Sequence, residues 1–171
     1  MALNMDLIVF AQTGHVLAGA LRNQTGGAGP TVKELAGDGV WMRNPSDGTL
    51  QLVVDAEHLN IASTPFRDDV LLAARRFQMV DGLPEAKDEN TTVNPVVLNG
   101  TNVTVSLPVA VTSNIDVWVV VTGPNISPIV QKVEVLETAT SGSEPLPLQS
   151  GTYQVLVLAP GYRTFVEEVA F

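Results

Sequence analysis

Apolar and polar residues alternate most clearly in residues 93–171, and this alternation predicts strands. A period of two is typical of strands with one buried face. Six or so such runs, separated by Asn, Gly and Pro turns, predict an antiparallel β-sandwich. The side chains of Trp118 and Val120 fall on the polar face of one run and indicate that both faces of that strand are partly covered. These runs include Val103–Leu107, Ile115–Thr122, Val133–Val135, Tyr153–Val157 and Thr164–Phe171.

Residues 1–83 show shorter runs with more irregular spacing. The stretch Leu7–Leu21 predicts two strands around a tight turn at Gly14. Further strands are predicted at Val40–Met42 and Thr49–Asp55, on either side of the turn Asn44-Pro45-Ser46-Asp47-Gly48. The glycine-rich stretch 23–30 predicts a flexible loop, since no Lys-Ser/Thr pair follows it as a phosphate-binding loop requires.

One helix is predicted, over about residues 64–81. Thr64 is a suitable cap, Pro65 suits the first helical position, and Asp68 and Asp69 favour the positive helix start. The alternative is a strand within residues 70–80, because this run is short and apolar. Gly82 is a suitable helix terminator.

Residues 84–92 are polar and charged without periodicity, which predicts a linker. The expected organisation is a β-rich docking or assembly unit at 1–83, the linker, and a sandwich at 93–171. The fold class is therefore mainly β, with one helix in the first unit.

The charge pattern argues against nucleic acid as a partner. The net charge is −9, and the basic residues number seven in residues 1–92 and two in residues 93–171. A surface that follows phosphates needs clustered Lys and Arg. Only Arg75 and Arg76 are adjacent, so we expect no nucleic-acid binding.

The chain has no cysteine, which excludes disulfides, thiolate metal sites and a cysteine nucleophile. No stretch approaches the roughly 20 apolar residues that span a bilayer, and the N-terminus lacks the basic start of a secretory signal. We expect synthesis in the cytoplasm without membrane insertion, and export, if any, on a released particle.

Five Asn-x-Ser/Thr triplets start at Asn23, Asn90, Asn99, Asn102 and Asn125. Without secretory features, these are better explained by turns that place Asn beside strand Thr.

No catalytic, cofactor-binding or metal-binding residues are predicted. The two histidines are His15, beside a hairpin, and His58, which follows Asp55 and Glu57 at a strand end. That spacing matches no zinc pattern. No serine lies in a Gly-x-Ser-x-Gly elbow, and Ser141-Gly142-Ser143 is predicted to be a flexible connection. The chain is accordingly not expected to be an enzyme.

The stretch Gly151-Thr152-Tyr153 and the corner Ala159-Pro160-Gly161-Tyr162 resemble the closing hairpin of a group of Ig-like or prealbumin-like β-sandwiches. These are the carboxypeptidase-regulatory-like, PEGA-type and collagen-binding B-type modules. The resemblance implies a fold and a role as spacer, attachment or recognition module. Some pilin-like relatives carry a Lys–Asn isopeptide bond, but no pattern assigns Lys132 an Asn partner, so it is expected to be a solvated strand lysine.

Low charge and a mean hydropathy of +0.21 favour permanent contact with other subunits. The expected function is a structural or assembly protein, a subunit or adaptor of a virion-like or phage-tail-related injection particle. Its partners would be other copies of itself or other particle subunits, and no cofactor is expected. The alternative is a surface adhesion or carbohydrate-binding module.

Overall fold

The computed structural model describes residues 3–22, 28–43, 47–87, 93–123 and 126–171. Within these ranges the chain is mainly β, as predicted, with two short helices, α1 at Val32–Ala36 and α2 at Asp68–Leu72. Short 3₁₀ turns occupy Ala56–His58 and Ala74–Arg76. The strands are β1 Asn4–Phe10, β2 Val16–Arg22, β3 Gly39–Arg43, β4 Leu50–Asp55, β5 Leu59–Pro65, β6 Phe77–Val80, β7 Leu83–Ala86, β8 Val97–Leu98, β9 Asn102–Ser106, β10 Ile115–Gly123, β11 Ile126–Val135, β12 Ser141–Pro145, β13 Thr152–Leu158 and β14 Phe165–Ala170.

Two antiparallel sheets in residues 93–171 enclose one hydrophobic core. The outer sheet has the strand order β12-β9-β8, and the central sheet has the order β11-β10-β13-β14. Alternate residues of β9, β10 and β13 point into this core, among them Val105, Val119 and Val157, each with no exposed surface. The predicted corner is present, with Gly161 at φ +83 after the end of β13.

The central sheet is buried on its second face as well. Val120, Leu156 and Leu158 point away from the outer sheet and pack against residues of the N-terminal half, including Phe10 and Val54. We call this cluster the shared core. The exposed fractions of its members are all below one tenth, so water is excluded from the contact between the two halves.

The N-terminal sheet, with the order β2-β1-β5, forms the next layer. One face, with Ile8 and Phe10, lines the shared core. The opposite face, with Leu7 and Val9, packs against Val70 and other residues of α2 and β6 in a third cluster. Alternation along β1 is therefore hidden in the sequence, because both faces of this strand are apolar.

The predicted helix over 64–81 is wrong in extent. Thr64 and Pro65 belong to β5 and pair with Met5 and Asn4 of β1, so the helix begins only after Arg67 and has no side-chain cap. It ends at Leu72, where Ala73 takes a non-helical conformation. The alternative of a strand in this run is partly right, since β6 pairs with β7. Gly82 lies in the turn between them and not at a helix end.

Two further parts of the chain differ from the sequence prediction. The predicted linker is structured at its start, because Pro84, Glu85 and Ala86 lie in β7, while its residues 88–92 lie outside the described residues. Helix α1 was not predicted from the sequence. It has a complete capping box, in which the side chains of Thr31 and Glu34 each accept a hydrogen bond from the other residue's backbone N–H. Of the predicted loop 23–30 and turn 44–48, residues 23–27 and 44–46 lie outside the described residues.

Gly39 permits the closest backbone approach in the β3–β4 hairpin. Its φ is +151, and a Cβ there would lie 2.0 Å from the carbonyl oxygen of Val54. We expect Gly39→Ala to lower the free energy of unfolding by roughly 2–3 kcal/mol, because the hairpin must open to admit the methyl group. Urea denaturation would measure this loss. Gly37→Ala is the matched control, since its φ is +61 but nothing lies within 4 Å of the added carbon. An equal cost for both variants would contradict the steric explanation.

Candidate functional site

His15 lies where the two halves meet and is fully buried. Its Nε2–H donates to the carbonyl oxygen of Tyr162 at 2.7 Å, and its Nδ1 accepts from the hydroxyl of Thr13 at 2.6 Å. The carbonyl can only accept, so the neutral ring carries its proton on Nε2. Both ring nitrogens are satisfied by this arrangement, which ties the β1–β2 hairpin to the corner after β13.

Gln78 reinforces the same junction. Its side-chain Nε2 donates to the carbonyl oxygen of Thr13 at 2.7 Å, and its Oε1 accepts from the backbone N–H of Gly161 at 3.0 Å. We call His15, Gln78 and their partners the polar junction. It links three distant segments of the chain, because β6 is held to both the first hairpin and the closing corner.

Burial lowers the pKa of His15 from its ordinary value of 6.5 to about 4. Hydrogen bonds to the carbonyls of Tyr162 and Ala159 oppose this effect, and the positive charge of Lys87 adds to it. The ring is therefore neutral at pH 7. A neutral, fully hydrogen-bonded histidine suits a structural contact, and its ring bonds to one hydroxyl and to backbone carbonyls, with no carboxylate among these partners.

The other residues considered for chemistry are spread over the surface. His58 is partly exposed, lies 3.5 Å from the carboxylate of Glu57, and stacks on Phe10 with ring centroids 6.1 Å apart. Asp69 pairs with Arg67, at 2.7 Å from its Nη2, and this hydrogen bond lowers the pKa of Asp69. Lys132 pairs with Asp116 at 3.3 Å, and both side chains are about half exposed.

Ser141, Gly142 and Ser143 do not form the predicted flexible connection. They lie in β12 and pair with β9. Asn99 is an exposed turn residue whose Oδ1 accepts from the backbone N–H groups of Thr101 and Asn102. Of the other Asn-x-Ser/Thr positions, 23, 90 and 125 lie outside the described residues.

No group of three or more His, Asp or Glu side chains that could hold a metal ion occurs in the described part of the chain. Neither α1 nor α2 has the length and apolar character needed to cross a membrane.

A cleft of about 420 Å³ opens between the β3–β4 hairpin and the edge of the central sheet. Its charged lining is mixed, since it includes both Arg43 and Arg75 and both Glu167 and Glu168, together with the polar Gln154. The carboxylate of Glu167 accepts a hydrogen bond from the backbone N–H of Val96, while partial burial raises its pKa. The cleft thus has no single sign of charge that would select one class of small ligand.

The outward face of the β3–β4 hairpin carries exposed apolar side chains. Trp41 pairs with Leu52 and Arg43 pairs with Leu50, so these four side chains share one face. Trp41 is 52% exposed and Leu50 is 61% exposed, while Met42 on the opposite face is buried in the shared core. We call Trp41, Arg43, Leu50 and Leu52 the hairpin face. Trp and Arg are the residue types most enriched among the energetically dominant residues of protein interfaces.

Comparison of the chain with models of protein families, with curated proteins and with solved structures found no match in any of the three. The candidate surfaces therefore have to be judged on their own geometry. The alternation Trp41-x-Arg43 and Leu50-x-Leu52 is visible in the sequence, but only the strand register shows that the two pairs adjoin.

Proposed function

We propose that this chain is a non-enzymatic structural subunit of a larger particle, of the virion-like or phage-tail-related kind. The hairpin face is the observation that carries the proposal. Trp41 and Leu50 are exposed, and Leu52 is half-buried, on a hairpin whose other face is already buried. Such a grouping is costly to leave in water and gains free energy when a partner covers it.

The sparse surface charge supports the same function. Only 16% of the residues are charged, whereas soluble domains average about 25%. The subunit would be made in the cytoplasm, fold without a cofactor, and contact copies of itself or other particle subunits. The sandwich in residues 93–171 would then be the displayed module, in line with the Ig-like resemblance of its closing hairpin.

The experiment is light scattering of the full chain over a concentration series, with Trp41→Ser/Leu50→Ser compared with the unchanged protein. We expect the unchanged protein to form stable oligomers. The double variant should associate with itself roughly tenfold or more weakly. Val97→Ser is the matched control, because Val97 is 55% exposed in the outer sheet, away from the hairpin face. Unchanged binding by the double variant would contradict the role of the hairpin face.

A carbohydrate-binding module is the second candidate, and Trp41 is the observation that favours it. An exposed indole ring offers a flat platform for a sugar ring, and Tyr153, by contrast, is buried. A protein that stays monomeric at 18.1 kDa and binds a glycan array through Trp41 would support this candidate and overturn the assembly proposal.

A further inference from the structure

A shallow groove of about 430 Å³ runs between residues 17–19 of β2 and residues 71–76. Leu72 borders it and is 86% exposed, more than any other large apolar side chain in the described ranges. Arg75 and Arg76 close one end, and no acidic residue lines the groove. We call it the basic groove. It combines an apolar floor with two positive charges.

The two arginines have no side-chain partner among the described residues. Arg22 pairs with Asp6 and Arg67 pairs with Asp69, whereas neither Arg75 nor Arg76 takes part in an ion pair or a side-chain hydrogen bond there. Their backbone carbonyls accept hydrogen bonds from Thr164 and Lys87. The backbone of both residues is therefore fixed, and both side chains are exposed, although Arg75 also lines the cleft that contains Glu167 and Glu168.

A surface of the opposite charge lies at one end of the sandwich. The loops at 107–114 and 136–140 are joined by backbone hydrogen bonds, from Val111 to Ala139 at 3.1 Å and from Thr138 to Val111 at 2.9 Å. These bonds make the two loops one surface. Each loop carries one exposed apolar side chain, Val109 at 62% exposed and Leu136 at 55% exposed.

Two exposed carboxylates belong to the same surface. Glu137 is held by a hydrogen bond from its backbone N–H to the side chain of Asn114 at 2.8 Å, and the same Asn114 donates to Glu134 at 3.3 Å. We call Val109, Leu136, Glu134 and Glu137 the acidic tip. It combines exposed apolar side chains with two negative charges, and so complements the basic groove in charge and in apolar character.

We infer that the acidic tip of one copy docks into the basic groove of a second copy. A chain with a net charge of −9 repels its own copies, so a contact between copies is favoured where surfaces of opposite sign meet. The groove and the tip supply both opposite charge and exposed apolar side chains. Because they lie on different parts of the chain, each copy offers one of each, and the contact can close as a two-fold pair or as a ring. The inference rests on the proposed function and adds this contact to the one made by the hairpin face.

Charge reversal of full-length protein tests this docking. The groove variant is Arg75→Glu/Arg76→Glu, and the tip variant is Glu134→Lys/Glu137→Lys. Each variant alone places like charges at the contact, so we expect self-association to weaken by roughly 10- to 100-fold. In an equimolar mixture, the acidic groove of one variant meets the basic tip of the other, and the unaltered surfaces also match. We expect the mixture to recover the mass of the unchanged protein by light scattering at low salt.

Two control variants make a single charge reversal of the same sign, half the change in net charge, at other places on the surface. Lys33→Glu lies on exposed α1, and Glu57→Lys alters a side chain that is 77% exposed. Both controls should associate like the unchanged protein, and circular dichroism with thermal melts should show that all variants are folded. Retained association by either the groove or the tip variant, or a mixture that stays dissociated, would overturn the inference. If the unchanged protein is oligomeric in those cases, the proposed function stands and another surface makes the contact. An unchanged protein that is monomeric throughout would overturn the inference and leave docking onto foreign subunits or glycan binding.

Discussion

Phe10→Ala is expected to destabilise both halves of the protein together, by about 3–5 kcal/mol. Phe10 is fully buried in β1, yet its ring lies 5.9 Å from the ring of Trp118 in the central sheet. Removing the ring leaves a cavity in the shared core, which contains residues of both halves. The loss should therefore appear in a single cooperative transition and not in the N-terminal half alone.

The two tryptophans make this prediction measurable. Trp41 reports on the β3–β4 hairpin and Trp118 reports on the central sheet. In Trp41→Phe and Trp118→Phe backgrounds, fluorescence during urea denaturation should give the same midpoint, and Phe10→Ala should lower both midpoints equally. Phe66→Ala is the matched control, because Phe66 is 40% exposed and its loss should cost less than about 1 kcal/mol. A Trp118 midpoint unaffected by Phe10→Ala would show that the sandwich folds independently.

Acid is expected to weaken the polar junction between pH 6.5 and 4. The pKa of His15 is about 4 in the folded chain and ordinarily 6.5, so the unfolded chain binds a proton across this window while the folded chain does not. The stabilisation is fully present above pH 6.5 and is lost as the pH falls toward 4. Since one pKa unit corresponds to about 1.4 kcal/mol, the loss at pH 4 is roughly 3 kcal/mol.

Urea denaturation at several pH values checks this effect. His15→Gln should cost stability at pH 7 but remove most of the additional loss between pH 6.5 and 4. His58→Gln is the matched control, because the His58 side chain is 24% exposed. The steep loss should persist in the His58 variant. If the unchanged protein and His15→Gln lose stability in parallel, then His15 is not the source of the acid sensitivity.

The strands were predictable where burial is one-sided or where turn chemistry is explicit. Gly14 marks the turn between β1 and β2, and the alternation of Val103 and Val105 locates β9. The covered second face of β10 was also visible, since Trp118 and Val120 interrupt its polar positions. Mainly β character follows from such local patterns, because each depends on only a few neighbouring residues.

The extent of the helix and the role of His15 could not be read in the same way. Thr64 and Pro65 carry good helix-start chemistry, but pairing with β1, some 60 residues earlier, holds them in a strand. His15 lies beside a turn in the sequence, and only the corner at Tyr162 makes it a buried contact. Helix α1 was not predicted, although the capping box of Thr31 and Glu34 is a local signal in the sequence. The division into units at residues 83 and 93 stays a prediction that the Phe10 experiment tests.

The shared core also has a consequence for biosynthesis. The side chains that cover Phe10 include Leu156 and Leu158 of β13, and the His15–Tyr162 bond joins residues 147 positions apart. During translation, β1 leaves the ribosome long before these partners exist, so the apolar inner face of the N-terminal sheet stays uncovered until nearly the whole described chain has emerged. Long-range closure of this kind slows folding and exposes the nascent chain to aggregation. Chaperone supply and growth temperature should therefore govern the yield of this protein more strongly than its final stability does.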